Sequence, residues 1–247
     1  MNNFILDPVS ELIIFFGDCG AGKSSLMVHF ADKYLKTQDV QRWELSEKII
    51  RDLNTRRKTP LSFPSKTPVS TNLSLKLKDR NGNEFIPATV KGKNIGISND
   101  KETYKYLFPA SLLIIDEAHN EFCSKGGELP KGQRDFFNKR RHNRLNILLA
   151  APRAVLINKD IRNTGARFIE VRKQAHEKDQ YNRIHKTTWY CREFLDKTAL
   201  EEYLSTDGLS GAYAETTYEH NGNIFDLYDS FAFVEDFMPP EGADFET

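Results

Sequence analysis

Short runs of apolar residues recur along the chain at intervals that suit strands alternating with helices. The clearest runs cover residues 12–16, 112–115 and 145–150, each of strand length and almost free of polar residues. Continuous apolar runs of this length are typical of strands that are buried on both faces. The pattern predicts an α/β fold with a mostly parallel central sheet and helices on both faces.

Helical spacing follows the first of these strands. Leu26, Phe30 and Tyr34 recur every four residues, which predicts a helix over about 25–35. Further helices are predicted over 43–57, over about 131–142, over 154–162, and from a cap at Asp196 or Thr198 to Leu204.

Alternating apolar and polar residues predict the remaining strands. The segment 73–77 alternates and is followed by the tight-turn dipeptide Asn81-Gly82 and a return strand at 84–86, so we expect a β-hairpin insertion over about 73–90. Residues 68–72 predict another core strand. Residues 168–171 and 184–190 predict two paired strands joined across a polar segment.

Residues 17–24 read Gly-Asp-Cys-Gly-Ala-Gly-Lys-Ser, which fits the phosphate-binding loop at every fixed position. A loop of this kind between a buried strand and a helix predicts a nucleoside triphosphate site. Backbone N–H groups would hold the phosphates, Lys23 would reach the β- and γ-phosphates, and Ser24 would ligate Mg²⁺. The predicted nucleotide-binding residues are Gly17, Asp18, Cys19, Gly20, Ala21, Gly22, Lys23, Ser24 and Ser25.

The apolar run 112–115 leads directly into Asp116 and Glu117. Asp116 is predicted to hold Mg²⁺, and Glu117 to polarise the attacking water as general base, so that Glu117 and Lys23 are the expected catalytic residues. The acidic pair, in a sequence without a guanine-reading Asn-Lys-x-Asp, favours ATP hydrolysis over a GTPase switch. The arrangement fits the additional-strand, catalytic-glutamate class of P-loop NTPases, in which residues 145–150 would lie between the two site strands.

Composition bounds the class of protein. The 247 residues are 39% hydrophobic and 28% charged, as in a soluble globular protein. No apolar run approaches the roughly 18 to 20 residues that cross a bilayer, so we expect no transmembrane segment. The cysteines are scattered at Cys19, Cys123 and Cys191, which favours a reducing, cytoplasmic location. His119 and His142 have no second ligand at helical spacing, so we expect no metal cluster.

Charge is divided unevenly along the chain. Residues 193–247 carry fourteen acidic side chains and only Lys197 as a cation, so at zero net charge the remaining residues carry about 13 excess positive charges. We therefore predict an NTPase domain over 1–192 and an acidic C-terminal region over 193–247, disordered at least beyond 238. This excess of basic residues forms either a solvated face or a DNA-binding surface. The acidic C-terminal region either competes for that surface or recruits a partner.

Several segments together resemble a known family. Ile114 to His119, then Arg141-His142, the strand 145–149, and Ile157, Ile161 and Arg162 accompany the phosphate loop and the Val69–Asn72 segment. Over roughly residues 10–175 the chain resembles the zonular occludens toxin-like ATPases, whose wider kin are the pumping ATPases of the FtsK–HerA group. The resemblance implies ATP and Mg²⁺ as ligands and a role in filamentous-phage assembly or export.

The chain departs from that family pattern in three respects, one of which is that Asn146 and Asn158 stand where aspartates are common. The family implies a Thr-Gln pair after the Arg-His strand, whereas Ala151 and Pro152 stand here and offer no side-chain hydrogen bond. Arg153 or Asn158 would have to replace the missing amide, or hydrolysis is slow. The phage export members usually carry a transmembrane helix after the ATPase domain, and none is expected in this chain. Docking at the inner face of the membrane would therefore need a partner protein.

Two functional hypotheses remain open. One is a homo-oligomeric ATPase, in ring form or not, that drives virion assembly or moves phage DNA. The other is a nucleotide-gated interaction protein with little turnover that recruits a partner through its acidic tail. In a ring, a neighbouring subunit could supply an arginine, for which the candidates are Arg140, Arg141, Arg162 and Arg167, although a surface salt bridge is the commoner role. Thr71 and Asn72 either line the pocket or end a strand.

Overall fold

The fold is built around an eight-stranded mixed sheet. In the computed structural model the described residues are 11–37, 47–48, 51–52, 54–55, 69–79, 81–90, 95, 111–123, 127–142, 144–208 and 210–228. The strands are β1 (Leu12–Phe16), β2 (Val69–Thr71), β3 (Leu77–Lys78), β4 (Glu84–Phe85), β5 (Ala88–Thr89), β6 (Leu112–Ile115), β7 (Asn146–Ala151), β8 (Arg167–Lys178), β9 (Ile184–Phe194) and β10 (Ala214–Asn221). The helices are α1 (Lys23–Thr37), α2 (Ala118–Glu121), α3 (Lys131–Lys139), α4 (Lys159–Arg162) and α5 (Lys197–Ser205), with 3₁₀ turns η1 (Ala154–Leu156) and η2 (Ile224–Leu227).

Strand order confirms the predicted class of sheet. The order is β10-β9-β8-β1-β7-β6-β2-β5, and the six strands from β8 to β5 run parallel. The apolar strand β7 lies between β1 and β6, in the position predicted for the additional strand. The ends of β1, β7 and β6 therefore meet at one edge, where open α/β sheets bind their ligands.

Both faces of the sheet are covered, as the continuous apolar runs predict. Ile13 and Phe15 of β1 face the α1 side, where Leu26, Phe30 and Tyr34 form a stripe in the same core cluster. Leu12, Ile14 and Phe16 face the other side, with residues from α2, α3 and α5. All five residues of β1 are buried. The 3.6-residue periodicity of α1 and the unbroken apolar strands thus identified the core correctly.

The insertion hairpin is shorter than the alternation suggests. β3 and β4 pair antiparallel, with Leu77 opposite Phe85 and Lys78 opposite Glu84, around the turn at Gly82. The next residues leave the hairpin, because β5 joins the main sheet parallel to β2 and becomes its edge strand. Ile86, predicted within the return strand, is 86% exposed and lies between the two.

The predicted strands at 168–171 and 184–190 are the cores of much longer strands. β8 and β9 pair antiparallel from Phe168–Phe194 to Lys178–Ile184, and β10 pairs with β9. The sequence analysis did not predict β10, and the boundary proposed at residue 192 falls inside β9. The sheet and α5 therefore continue through the first part of the acidic region. Disorder beyond 238 lies outside the described residues.

Most predicted helices form, with adjusted ends. α3 ends at Lys139 rather than near 142, and the helix expected over 154–162 is divided into η1 and α4 by the extended backbone of Ile157 and Asn158. Asp196, not Thr198, caps α5: its side chain accepts from the N–H of Ala199 at 2.9 Å. The helix predicted over 43–57 falls mostly outside the described residues.

Across the described parts of the chain, no helix has the length and apolarity that a membrane span needs.

Candidate nucleotide site

The glycine loop wraps the gap between the end of β1 and the start of α1. Lys23 turns back over the loop, and its Nζ donates to the carbonyl oxygens of Gly17 at 2.9 Å and Asp18 at 3.0 Å. The Leu26 N–H donates to the Gly22 carbonyl at 2.9 Å, which begins the helix. A charged Nζ is thus held over a ring of backbone groups at a helix N-terminus, which is the environment that binds phosphate.

A pocket of about 250 Å³ opens above this loop. Its lining residues are Cys19, Gly20, Gly22, Lys23, Ser24, Ser25, Glu117, Pro152, Gln174 and Tyr228. Of the predicted nucleotide-binding residues, Gly17, Asp18 and Ala21 shape the loop without lining the pocket. Cys19 is a free, exposed thiol at its mouth.

The two residues predicted to hold Mg²⁺ meet directly. The Ser24 hydroxyl donates to Asp116 Oδ2 at 2.5 Å, although 92 residues separate them in the chain. Both side chains end in oxygen atoms of the kind that Mg²⁺ prefers. Asp116 is 5% exposed, so the contact forms at the buried base of the site. These two side chains fit a Mg²⁺ ion.

Glu117 lies at the open side of the same pocket. Its backbone is left-handed, with φ 49° and ψ 39°, and its N–H donates to Asp116 Oδ1 at 2.9 Å. The side chain is 51% exposed, and Oε2 lies 3.3 Å from His119 Nδ1. A left-handed glutamate is uncommon and is kept only where the surroundings hold it. Glu117 thus lines the pocket from a left-handed turn directly after β6.

Asn72 is the side chain that holds this turn. Its Oδ1 accepts from the Asp116 N–H and its Nδ2 donates to the Asp116 carbonyl, both at 2.8 Å. Thr71 is buried, and its Oγ1 accepts from the Leu73 N–H at 3.0 Å. Of the two alternatives for this pair, Thr71 therefore terminates β2 and Asn72 positions the acidic pair without lining the pocket.

The end of β7 offers no side-chain hydrogen bond to the pocket. Pro152 lines it, and only its backbone carbonyl bonds to the loop, accepting from the Gly17 N–H at 3.2 Å. Asn158, one suggested replacement for the missing amide, caps α4 and donates to the Gly127 carbonyl at 2.8 Å. Arg153, the other suggestion, is exposed next to Pro152. Asn158 is thus committed to structure, and Arg153 remains the open candidate.

Two pocket residues were missed by the sequence analysis. Gln174 comes from β8, and its Oε1 accepts from the Ser25 hydroxyl at 2.9 Å. Tyr228 follows η2, and its backbone pairs with Leu75. Burial raises the pKa of Tyr228 to about 12, the nearby Asp116 carboxylate adds to the effect, and a hydrogen bond with Ser25 opposes it. Neither residue belongs to a motif, so only the pairing of β8, β9 and β10 could have located them.

The candidate arginines differ sharply in availability. Arg140 is 2% exposed, donates to the carbonyls of Phe137 and Gly165, and has its pKa lowered to about 10 by burial and by Arg141. Arg162 donates to the Ile157 carbonyl at 3.0 Å and pairs with Glu201, and Arg167 pairs with Glu11. Arg141 is exposed. The Arg140 guanidinium is used inside its own chain, so Arg140 is the least accessible of the candidates for a neighbouring subunit.

A glycine loop between the central strand and α1, an acidic pair on β6 and an additional strand between them define a P-loop NTPase fold. Lys23, Ser24 and Glu117 line one pocket, and Asp116 accepts a hydrogen bond from Ser24. The chain belongs to the zonular occludens toxin (Zot) family, because the family model matches residues 11–232.

Solved structures with the same architecture include the N-terminal domain of zonular occludens toxin from Neisseria meningitidis. It is 16% identical, with a TM-score of 0.50, and the match covers 90% of this chain and all of that one. The genome packaging NTPase B204 from Sulfolobus turreted icosahedral virus 2, in complex with ATP-gammaS, is 10% identical, with a TM-score of 0.43, covering 88% of this chain and 100% of that one. The comparison with curated protein sequences gives no match.

Proposed function

We propose that this protein is a phage-type P-loop ATPase that binds and hydrolyses Mg-ATP to drive virion assembly or export, or to translocate or package phage DNA. The observation that carries the proposal is the contact between Ser24 and Asp116, with Glu117 and Lys23 in the same pocket. Membership of the Zot family supports the link to phage assembly.

Each of these side chains has a distinct part in the reaction. Lys23 neutralises charge on the β- and γ-phosphates, and Ser24 and Asp116 would hold Mg²⁺, which when bound neutralises charge on the same phosphate oxygens. Glu117 accepts a proton from the attacking water. The water oxygen bonds to the γ-phosphorus while the bond to the β–γ bridging oxygen breaks, and ADP leaves with that electron pair.

Assembly and partners belong to the same proposal. A homo-oligomer, with a ring as one arrangement, would let an exposed arginine reach the neighbouring subunit's nucleotide, and Arg141 is the exposed one among the four candidates. DNA and phage assembly proteins are the candidate cargoes. The protein would act in the host cytoplasm and reach the inner face of the membrane through a membrane-protein partner.

Pro152 favours the second candidate function, a nucleotide-gated interaction protein with weak or no hydrolysis. A proline at the end of β7 cannot sense the γ-phosphate through a side-chain hydrogen bond. Such a protein would bind ATP, change shape and recruit its partner through the acidic tail.

The first prediction separates these functions with Glu117→Gln. We expect ATP binding to persist and turnover to fall by about 10²- to 10⁴-fold, because the variant removes the base and keeps the side-chain shape. Steady-state phosphate release with Mg²⁺, with and without DNA, measures this. The matched control is Glu128→Gln, which changes a carboxylate that is 79% exposed and outside the pocket lining.

The outcomes assign the function. Turnover in the wild type and in the Glu128 control, lost in Glu117→Gln, supports the ATPase. Tight ATP binding with no turnover by the wild type under any condition supports the interaction protein. A Lys23→Ala protein that binds ATP as well as the wild type would overturn both.

A further inference from the structure

Gln174 lies directly against the end of the phosphate loop. An ideal Cβ on Gly22 would stand only 2.5 Å from Gln174 Oε1, and the Ser25 hydroxyl lies 2.9 Å from the same oxygen. Gln174 lines the nucleotide pocket although it belongs to β8, on the opposite side of β1 from Pro152. A side-chain amide is therefore present in the pocket, and it enters from a different strand than the family pattern implies.

The Ser25 hydroxyl contacts the oxygen end of this amide. The Trp189 indole Nε1–H donates to the Ser25 hydroxyl at 3.1 Å, and an indole can only donate. The possible acceptors of the single Ser25 proton are the Gly22 carbonyl and Gln174 Oε1, both at 2.9 Å, and the Tyr228 hydroxyl. Because the oxygen end of the Gln174 amide lies against Ser25, its NH₂ group points away from Ser25 and has no hydrogen-bond partner among the described residues.

The position of Gln174 selects the part of the nucleotide that it reaches. Gly22 and Ser25 stand where the loop becomes the first turn of α1, the segment whose backbone N–H groups hold the α- and β-phosphates in this type of loop. The groups expected at the γ-phosphate, Glu117 and the end of β7, come from strands on the other side of β1. An NH₂ donor is the right partner for an anionic phosphate oxygen.

We propose that Gln174 is a nucleotide-positioning residue whose amide NH₂ donates to the α- or β-phosphate, and that Ser25 and Trp189 hold the amide in that orientation. It contributes to binding ATP and ADP alike and does not sense the γ-phosphate. This inference rests on the proposed nucleotide-binding function of the pocket.

The test compares Gln174→Ala and Gln174→Glu with the wild type in affinity for Mg-ADP and Mg-ATP, by calorimetry. A hydrogen bond to a charged group predicts a loss of about 10- to 100-fold for alanine, equal for the two nucleotides. Glutamate keeps an oxygen for Ser25 but faces the phosphate with a negative charge, so its loss is at least as large. Gln180→Ala and Gln180→Glu are the matched controls, because Gln180 is exposed between β8 and β9.

Trp189 supplies a second readout, in a Trp43→Phe background that leaves it as the only tryptophan. In this background its emission should respond to ADP, and adding Gln174→Glu should shift the response to a correspondingly higher ADP concentration. If Gln174→Ala fails to fold, the affinity of Gln174→Glu for ADP tests the inference, because this variant retains the oxygen that accepts from Ser25.

Gln174 variants that bind ADP within twofold of the wild type would overturn the inference, as would a loss confined to ATP. Lys23→Ala distinguishes this failure from failure of the proposed function. If the wild type binds nucleotide and Lys23→Ala does not, the nucleotide site is supported whatever the result with the Gln174 variants. A wild type that binds neither nucleotide overturns both.

Discussion

Gly22 lies at a crowded point of the phosphate loop. Its φ is 100°, and an added Cβ would meet Gln174 Oε1 at 2.5 Å and Trp189 Nε1 at 2.9 Å. Gly20 has a similar left-handed backbone, with φ 77°, but an added Cβ there meets nothing within 4 Å. The two glycines therefore separate the cost of backbone conformation from the cost of lost space.

The residue-scale prediction compares Gly20→Ala with Gly22→Ala. The first should lower the free energy of unfolding by about 1 kcal/mol, the usual cost of a left-handed alanine. The second should cost about 1–3 kcal/mol more, because Gln174 and Trp189 must also move. Urea unfolding followed by circular dichroism measures both, and equal costs would contradict the contact between β8 and the loop.

Motif residues could be read from the sequence because their roles are local. Lys23 and Ser24 follow the glycines within one loop, and Asp116 and Glu117 end a strand whose apolar run marks it clearly. Gln174 could not be found this way, since its partner Ser25 lies 149 residues away. Glutamine in a strand has no periodicity or spacing that would single it out.

At the scale of elements, α1 packs on one face of the sheet and contacts its edge strand β10. His29 of α1 is 7% exposed and lies 3.3 Å from His220 of β10, measured between the two Nδ1 atoms. Burial, then His220, Lys33 and Lys36 lower the pKa of His29 to about 3, and burial also lowers the pKa of His220. The contact thus requires neutral imidazoles.

Acid should weaken this contact. Because the folded pKa of His29 lies below its unfolded value of about 6.5, the unfolded chain binds more protons, and stability is lost as pH falls from 6.5 towards 3. At pH 5 the loss from His29 alone is about 2 kcal/mol.

His29→Gln should remove about that much of the difference in unfolding free energy between pH 7 and pH 5. Urea unfolding at the two pH values provides the measurement. His185→Gln, at a side chain that is 54% exposed, is the control and should leave the pH dependence unchanged. An unchanged pH dependence in His29→Gln would show that the histidine pair does not link stability to pH.

β10 shows why some elements escape sequence analysis. Its segment Ala-Glu-Thr-Thr-Tyr-Glu-His-Asn contains one buried residue, Tyr218. An antiparallel strand at the edge of a sheet needs little apolar surface, since its hydrogen bonds and one packed residue hold it. The interior strands β1, β6 and β7 were predictable because burial on both faces demands an unbroken apolar run.

Across the whole molecule, the separated charges of the sequence are partly brought together. Glu201, Glu215 and Glu219 belong to the acidic region, and the structure pairs them with Arg162, Arg192 and Lys186 at 3.8, 3.5 and 2.9 Å. Part of the charge division is therefore neutralised within the fold. These pairs are partly exposed, so each is worth little stability.

DNA binding should therefore be weak and strongly dependent on salt. The logarithm of the binding constant for duplex DNA should fall linearly with the logarithm of NaCl concentration, with a slope of about −0.9 per phosphate contact. Fluorescence anisotropy between 50 and 200 mM NaCl measures the slope, and Arg141→Ala should reduce its magnitude by about one if that exposed arginine contacts phosphate. No binding even at low salt would indicate a protein cargo.

The sequence by itself determined the parallel core, the phosphate loop and the acidic pair, because these depend on apolar runs, helical spacing and motifs that act within a few residues. Tertiary structure alone decided what surrounds them. It buried Arg140, used Asn158 as a cap, and brought Gln174 and Tyr228 into the pocket. Those outcomes depend on which strands pair and in which register, and pairing between segments far apart in the chain leaves no local pattern in their residues.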